Sequence, residues 1–144
     1  MRTIENFIIH CSATPEGRDV TVDTIRRWHL KRGWSDVGYH FICLLDGTIK
    51  KGRPQEKIGA HTKGKNNHSI GICYIGGMDE NMEHSKDTRT EAQKKSLVRL
   101  LLNLKSEHCD AVVNSHKDFS NKACPSFDAT KEYKWISDYY EQDT

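Results

Sequence analysis

Four short apolar runs, separated by stretches of a different character, set the terms for this chain. Phe7-Ile8-Ile9, Tyr39-His40-Phe41-Ile42-Cys43-Leu44, Ser69-Ile70-Gly71-Ile72-Cys73-Tyr74-Ile75 and Ala111-Val112-Val113 are rich in β-branched and aromatic residues and read as strands. Asp46-Gly47 is a tight-turn signal that makes Thr48-Ile49-Lys50 the hairpin partner of the second run. Helical signals alternate with these. Thr21 can cap a helix carrying Val22, Ile25, Trp28 and His29 on one face, with Gly33 as its stop. Thr90 followed by Gln93 is a capping box, and Leu97, Leu100, Leu101 and Leu104 behind it form one helical stripe. Asp128 can cap a last helix bearing Tyr133, Trp135 and Ile136, after which residues 138–144 should fray. Hairpin and crossover connections both occur, so the expected fold class is α/β with a central mixed β-sheet flanked by helices. Trp28, Trp34 and Phe41 are expected in the core.

Composition bounds what such a fold does. With 144 residues and 35% hydrophobic content the chain supports one core of ordinary size, and a single domain over residues 1–144 is expected. The 22 basic and 20 acidic residues leave a net charge of +2 with no long basic run, which argues against a nucleic-acid partner. Lys50, Lys51, Arg53, Lys63 and Lys65 gather in sequence, a solvated face that would also suit an anionic polymer. The polar start Met1-Arg2-Thr3-Ile4-Glu5-Asn6 carries no apolar signal segment, and no stretch is long enough to span a bilayer. The expected product is a soluble monomer made in the cytoplasm. Five cysteines are an odd number, and Cys11, Cys43, Cys73 and Cys109, scattered over apparent strand and helix positions, read as reduced thiols. Period-two alternation turns Cys11 away from the face that bears His10, toward the core.

The segment Ser115-His116-Lys117-Asp118-Phe119-Ser120-Asn121-Lys122-Ala123-Cys124-Pro125 joins an imidazole, an ammonium and a thiol in a short span. Zn²⁺ takes His nitrogen and Cys sulfur, and a catalytic site uses three protein ligands so that one position stays open. His10, which closes the first apolar run, is the best third candidate. The expected set is therefore His10, His116 and Cys124 on one zinc ion, in a surface groove at the strand ends. No CxxC pair exists, so a Cys-rich structural zinc site is unsupported. The long stretch from Arg53 to His68 reads as a functional loop.

Several ordered motifs then resemble one family. Ile8-Ile9-His10-Cys11-Ser12-Ala13-Thr14, Gly33-Trp34-Ser35-Asp36-Val37-Gly38-Tyr39-His40-Phe41, Asp46-Gly47-Thr48, Gly59-Ala60-His61, Asn66 with Ser69-Ile70-Gly71, and Lys122-Ala123-Cys124-Pro125-Ser126-Phe127-Asp128 resemble the zinc-dependent N-acetylmuramoyl-L-alanine amidases of the bacteriophage lysozyme type, relatives of the peptidoglycan recognition proteins. The resemblance implies that His10, His116 and Cys124 hold zinc and that Tyr39 and Lys122 assist catalysis. It also implies that His61 borders the substrate groove and contacts glycan or stem peptide. Two positions depart from the family pattern: Lys65 stands where an aromatic is common, and His68 where Asn is common. His40 alternates with Tyr39 and is left outside the site.

The activity implied is hydrolysis of the amide joining N-acetylmuramic acid to L-alanine in peptidoglycan, with the protein reaching the wall after release or by specialised export. Chemistry agrees, because an ammonium at Lys122 and a phenol at Tyr39 are groups that can stabilise or protonate a developing oxyanion. Two readings of another class stay open, a catalytically silent peptidoglycan-binding module and a regulator that binds a protein through the same surface.

Overall fold

Each apolar run forms a strand in the computed structural model, which describes residues 2–140. The elements in chain order are β1 (Asn6–Cys11), β2 (Thr14–Pro15), α1 (Val22–Lys31), β3 (Phe41–Cys43), β4 (Ile49–Lys51), β5 (Ser69–Tyr74), β6 (Gly77–Met78), α2 (Glu91–Glu107), β7 (Val112–Ser115), α3 (Ala129–Glu132) and α4 (Lys134–Ser137). Short 3-10 turns at Asn66–His68 and His116–Asp118 lead into β5 and out of β7. The main sheet runs β4-β3-β5-β1-β7, with β2 and β6 paired separately. Only β4 is antiparallel to its neighbour, so the sheet is mixed.

Register fixes what lies on each face. Phe7, Ile9 and Cys11 of β1 join Ile70, Ile72 and Tyr74 of β5 in one buried cluster with Leu97, Leu101 and Leu104 of α2. Full burial of each such leucine contributes roughly 2 kcal/mol. The opposite face carries a row of residues at one level of the sheet, since Ile42 pairs with Cys73 and Cys73 with His10. Ile9 pairs with Ser115 at the last rung of β1 and β7, so the next residues on each, His10 and His116, emerge side by side. Ile42 packs there against Val20, Ile25 and Val37, beneath α1. Cys11 thus lies in the core on the face away from His10, as strand alternation requires.

The caps follow the sequence. Thr21 accepts the Thr24 N–H at 3.1 Å, Thr90 and Gln93 form the reciprocal capping box, and the Asp128 carboxylate accepts the Lys131 N–H at 3.0 Å. Three expectations change. The second apolar run is a strand only over Phe41–Cys43, because Gly38 and Tyr39 turn toward α1 and the following loop: the Gly38 N–H donates to His29 Nδ1 (2.8 Å) and its carbonyl accepts from Ala60 (3.1 Å). The last helix divides into α3 and α4 at Tyr133, whose φ of −105° and ψ of 16° interrupt the turn, and Trp135 is 51% exposed. Trp34 is not core: it is half-exposed, with the Arg32 guanidinium 5.5 Å above its ring, and Trp28 is half-buried at the edge of the α1 cluster. Asp138 and Tyr139 donate backbone bonds to the Lys134 and Ile136 carbonyls in a turn after α4, and residues 141–144 of the expected frayed end lie outside the described residues.

A buried cation ties the C-terminal segments to the stretch that leads into α2. The Arg89 guanidinium bonds Asp87 at 2.8 Å, Glu132 at 2.7 Å and the Tyr133 hydroxyl at 2.8 Å, and it lies 3.4 Å from the centre of the Phe127 ring. A guanidinium buried this far is tolerated because several of its donors are bonded. The Phe127 ring under this cation also packs 6.0 Å from that of Tyr74 on β5, which holds the segment after Cys124 against the sheet.

Candidate active site

The strand ends bring His10, His116 and Cys124 together. Their ligand atoms all lie within 4.8 Å of one another, and the His10 and His116 rings are 4.4 Å apart. His10 is buried, and its Nδ1 faces the Cys124 sulfur at 3.8 Å. His116 Nδ1 is buried with no hydrogen-bond partner. An orphaned imidazole nitrogen is costly unless something else occupies its lone pair. Two imidazole nitrogens and one sulfur converging on a single point form a donor set that suits a tetrahedral zinc with one position left for water.

Each ligand is anchored from behind. The Tyr74 hydroxyl donates to the Pro125 carbonyl (2.6 Å) and Ser126 Oγ to the Gly77 carbonyl (2.8 Å), while the Lys117 N–H donates to the Cys124 carbonyl (2.8 Å). The Cys124 sulfur itself accepts the Cys11 N–H at 3.2 Å, a bond that favours thiolate. On the His116 turn, Asp118 accepts the Ser115 N–H (3.2 Å) and the Thr130 hydroxyl, fixing the chain on both sides of the imidazole.

Electrostatics prepares the histidines to be neutral. Burial, then the neighbouring His61, His116 and Lys122, hold His10 well below its usual value. Burial first and the Lys122 charge second lower His116. A metal-binding imidazole must be unprotonated, so these shifts remove proton competition at neutral pH. The Cys124 thiol is pushed up, first by its hydrogen bond with the Cys11 thiol and then by burial, so binding a cation there releases a proton.

Two buried histidines outside the cluster give a measurable consequence. His29 and His40 are each lowered to about 4, mainly by burial and with help from nearby arginines. The unfolded chain takes up these protons near pH 6.5 and the folded chain only near 4, so acid favours unfolding between those limits. Stability should be at its full value above about pH 6.5 and decline by about 1.4 kcal/mol per pH unit per histidine below it. Urea midpoints measured at pH 7, 6 and 5 test this, and a flat series would contradict it.

A groove of about 600 Å³ opens over the cluster. Tyr39, His61, Lys122 and Trp34 line it with the three clustered residues, and Lys65 stands over the Phe119 ring with its ammonium 4.9 Å from the centre. The Tyr39 ring packs 5.1 Å from that of His10. Burial, then nearby thiols, raise its pKa well above the usual value, so the phenol keeps its proton. Lys122 is exposed at the rim, and its charge is felt by both His10 and His116. The structure thus brings all six sequence-derived site residues to one groove. His40 lies beneath it, with Nδ1 accepting the Gly71 N–H at 3.0 Å.

Some contributors carried no sequence signal. His29 holds the Gly38 N–H one residue before Tyr39, where a side chain is impossible because an added Cβ would sit 2.1 Å from the Ala60 carbonyl oxygen. Thr62 places its hydroxyl 3.2 Å from His10 Nε2. The Thr62 contact joins segments 52 residues apart and the His29 contact ties a helix to the loop nine residues on, and neither a helix face nor loop composition reveals them. The Arg53–His68 stretch is also tied down more than its length suggests. Arg53 donates to the Val37 and Ile58 carbonyls (3.1 and 2.9 Å), and Arg2 to those of Gln55, Asn66 and Ser69 (2.6, 3.2 and 3.1 Å).

Known proteins share this arrangement of sequence and fold. The sequence model described as N-acetylmuramoyl-L-alanine amidase matches residues 1–127. An endolysin of Klebsiella phage KP32 is 48% identical over 122 residues, covering 85% of this chain and 80% of that protein. An endolysin of Escherichia phage T7 is 46% identical over the same length, with the same coverage of each. Among solved structures, the N-acetylmuramoyl-L-alanine amidase LysC from Clostridium intestinale URNW matches with a TM-score of 0.78 at 30% identity, covering 93% of this chain and 84% of that one. Bumblebee PGRP-SA matches with a TM-score of 0.77 at 28% identity, covering 93% and 82%. On this match of family model, relatives and fold, the chain belongs to the N-acetylmuramoyl-L-alanine amidase family.

Proposed function

We propose that this amidase cleaves the bond between the lactyl group of N-acetylmuramic acid and L-alanine in peptidoglycan, using one zinc ion held by His10, His116 and Cys124. The observation that carries the reading is the buried, partnerless Nδ1 of His116 facing a second imidazole and a sulfur at the floor of a groove. When bound there, zinc supplies an activated water at neutral pH and a Lewis acid for the amide carbonyl.

The chain's own groups do the rest. The groove seats the muramyl peptide across the cluster, and the Lys122 ammonium offers charge to the oxygen that becomes negative as the amide is attacked. The Tyr39 phenol, kept protonated by its surroundings, donates a hydrogen bond to that oxygen or orients the water. The preference for a polar, anionic substrate agrees with a rim that carries Arg32 and Lys63. No helix among the described residues is long and apolar enough to cross a membrane. We take the protein to act as a monomer on the wall, after release from the cell or specialised export.

Mass analysis of digested peptidoglycan tests the bond directly. Free lactyl ends together with new L-alanine amino termini are expected. New reducing sugar ends or free D-amino-acid termini in their place would assign a different hydrolase, and intact glycan peptides with retained binding would assign a silent recognition module.

A further inference from the structure

One face of His10 looks toward the metal cluster, and the other meets a built pair of acceptors. His10 Nε2 lies 2.9 Å from His61 Nδ1 and 3.2 Å from the Thr62 hydroxyl oxygen. If Nδ1 of His10 gives its lone pair to a cation, the ring proton must sit on Nε2, and it then has two acceptors within hydrogen-bond reach. His61 accepts that proton through Nδ1 and carries its own on Nε2, which it donates to Ser69 Oγ at 3.2 Å. We propose that His61 and Thr62 form a positioning pair that fixes the tautomer and ring angle of His10 for zinc. This inference rests on the zinc assignment above and gives His61 a role beyond contact with substrate.

The pair is itself rigidly held. A single side-chain oxygen, Asn66 Oδ1, accepts both the His61 N–H (3.0 Å) and the Thr62 N–H (2.9 Å), clamping the two residues at one angle to β1. The His61 ring occupies a slot that exists only because β5 has glycine at position 71: a Cβ added there would come within 2.6 Å of the ring. Gly59 leaves room for the same ring, since a Cβ there would lie 2.8 Å from His61 Cδ2. Thr62 is buried, and its hydroxyl lies within hydrogen-bond reach of both imidazoles, 3.2 Å from His10 Nε2 and 3.0 Å from His61 Nδ1. Groups that hold a metal-binding histidine from its far nitrogen raise its basicity and spare it the cost of ordering on binding.

The test is zinc affinity of the purified full chain, measured by competition with a chromophoric chelator, alongside KM, kcat and the absorption spectrum of the cobalt-substituted protein. His61→Ala should weaken zinc binding by roughly 10- to 100-fold and alter the cobalt bands. His61→Asn should recover most of both, because its amide oxygen falls near the place of Nδ1. Thr62→Val should weaken zinc by about tenfold, whereas Thr62→Ser, which keeps the hydroxyl, should not. Wild-type zinc affinity in His61→Ala with a raised KM alone would make His61 a substrate contact and overturn the proposal. Equal losses in Thr62→Val and Thr62→Ser would overturn it too, since packing rather than the hydroxyl would then matter. Should His61→Ala fail to fold, the Thr62 pair decides. A wild-type chain that binds no zinc overturns the zinc assignment, and the positioning role with it.

Discussion

The Cys124→Ser variant is expected to lose bound zinc and amidase activity together while keeping its fold. Serine is nearly isosteric, and the backbone bonds that anchor this loop, from Tyr74 to the Pro125 carbonyl and from Lys117 to the Cys124 carbonyl, do not involve the sulfur. What changes is the donor: a hydroxyl stays protonated near neutral pH and is a far poorer zinc ligand than a thiolate. Two imidazoles alone leave the ion short of the three ligands an open catalytic site requires. Elemental analysis should give close to one zinc per wild-type chain and little in the variant, with matching circular dichroism. Active protein that contains no metal, or a serine variant with wild-type turnover, would remove Cys124 from the mechanism.

The parts of this design that were legible in the sequence are those written in local pattern. The capping box Thr90–Gln93, the Thr21 cap and the leucine stripe of α2 are contiguous signals, and each is present. Strand alternation was enough to put His10 and Cys11 on opposite faces, because the side-chain period of a strand is two. Trp34 went the other way: its size suggested burial, yet a large aromatic beside an exposed arginine can cover a groove wall instead. The division at Tyr133 was illegible because helical propensity over 129–137 is continuous. Least visible was the support behind His10. His61, Thr62, Asn66 and Gly71 come from a loop and a strand about 50 to 60 residues beyond it in sequence, and only the parallel pairing of β1 with β5 brings them to its side.

Tyr39→Phe and Lys122→Ala are expected to separate chemistry from binding. The phenylalanine keeps the ring that packs against His10 and His29 and removes only the hydroxyl. The fold should therefore be indifferent to the change. Lys122 is exposed at the rim, and deleting it removes a positive charge that disfavours cation binding at His10 and His116, so zinc should be retained at least as tightly. Both groups nevertheless serve the oxygen that gains charge during attack on the amide. A donor whose bond strengthens only in the transition state lowers kcat without weakening substrate binding when it is lost. Each variant should thus show roughly a hundredfold or greater loss of turnover, with zinc content, stability and affinity for wall fragments close to wild type. Full turnover in both, with zinc in place, would make Tyr39 a packing residue and Lys122 a surface charge. A loss confined to KM would instead make them binding groups that act on ground state and transition state alike.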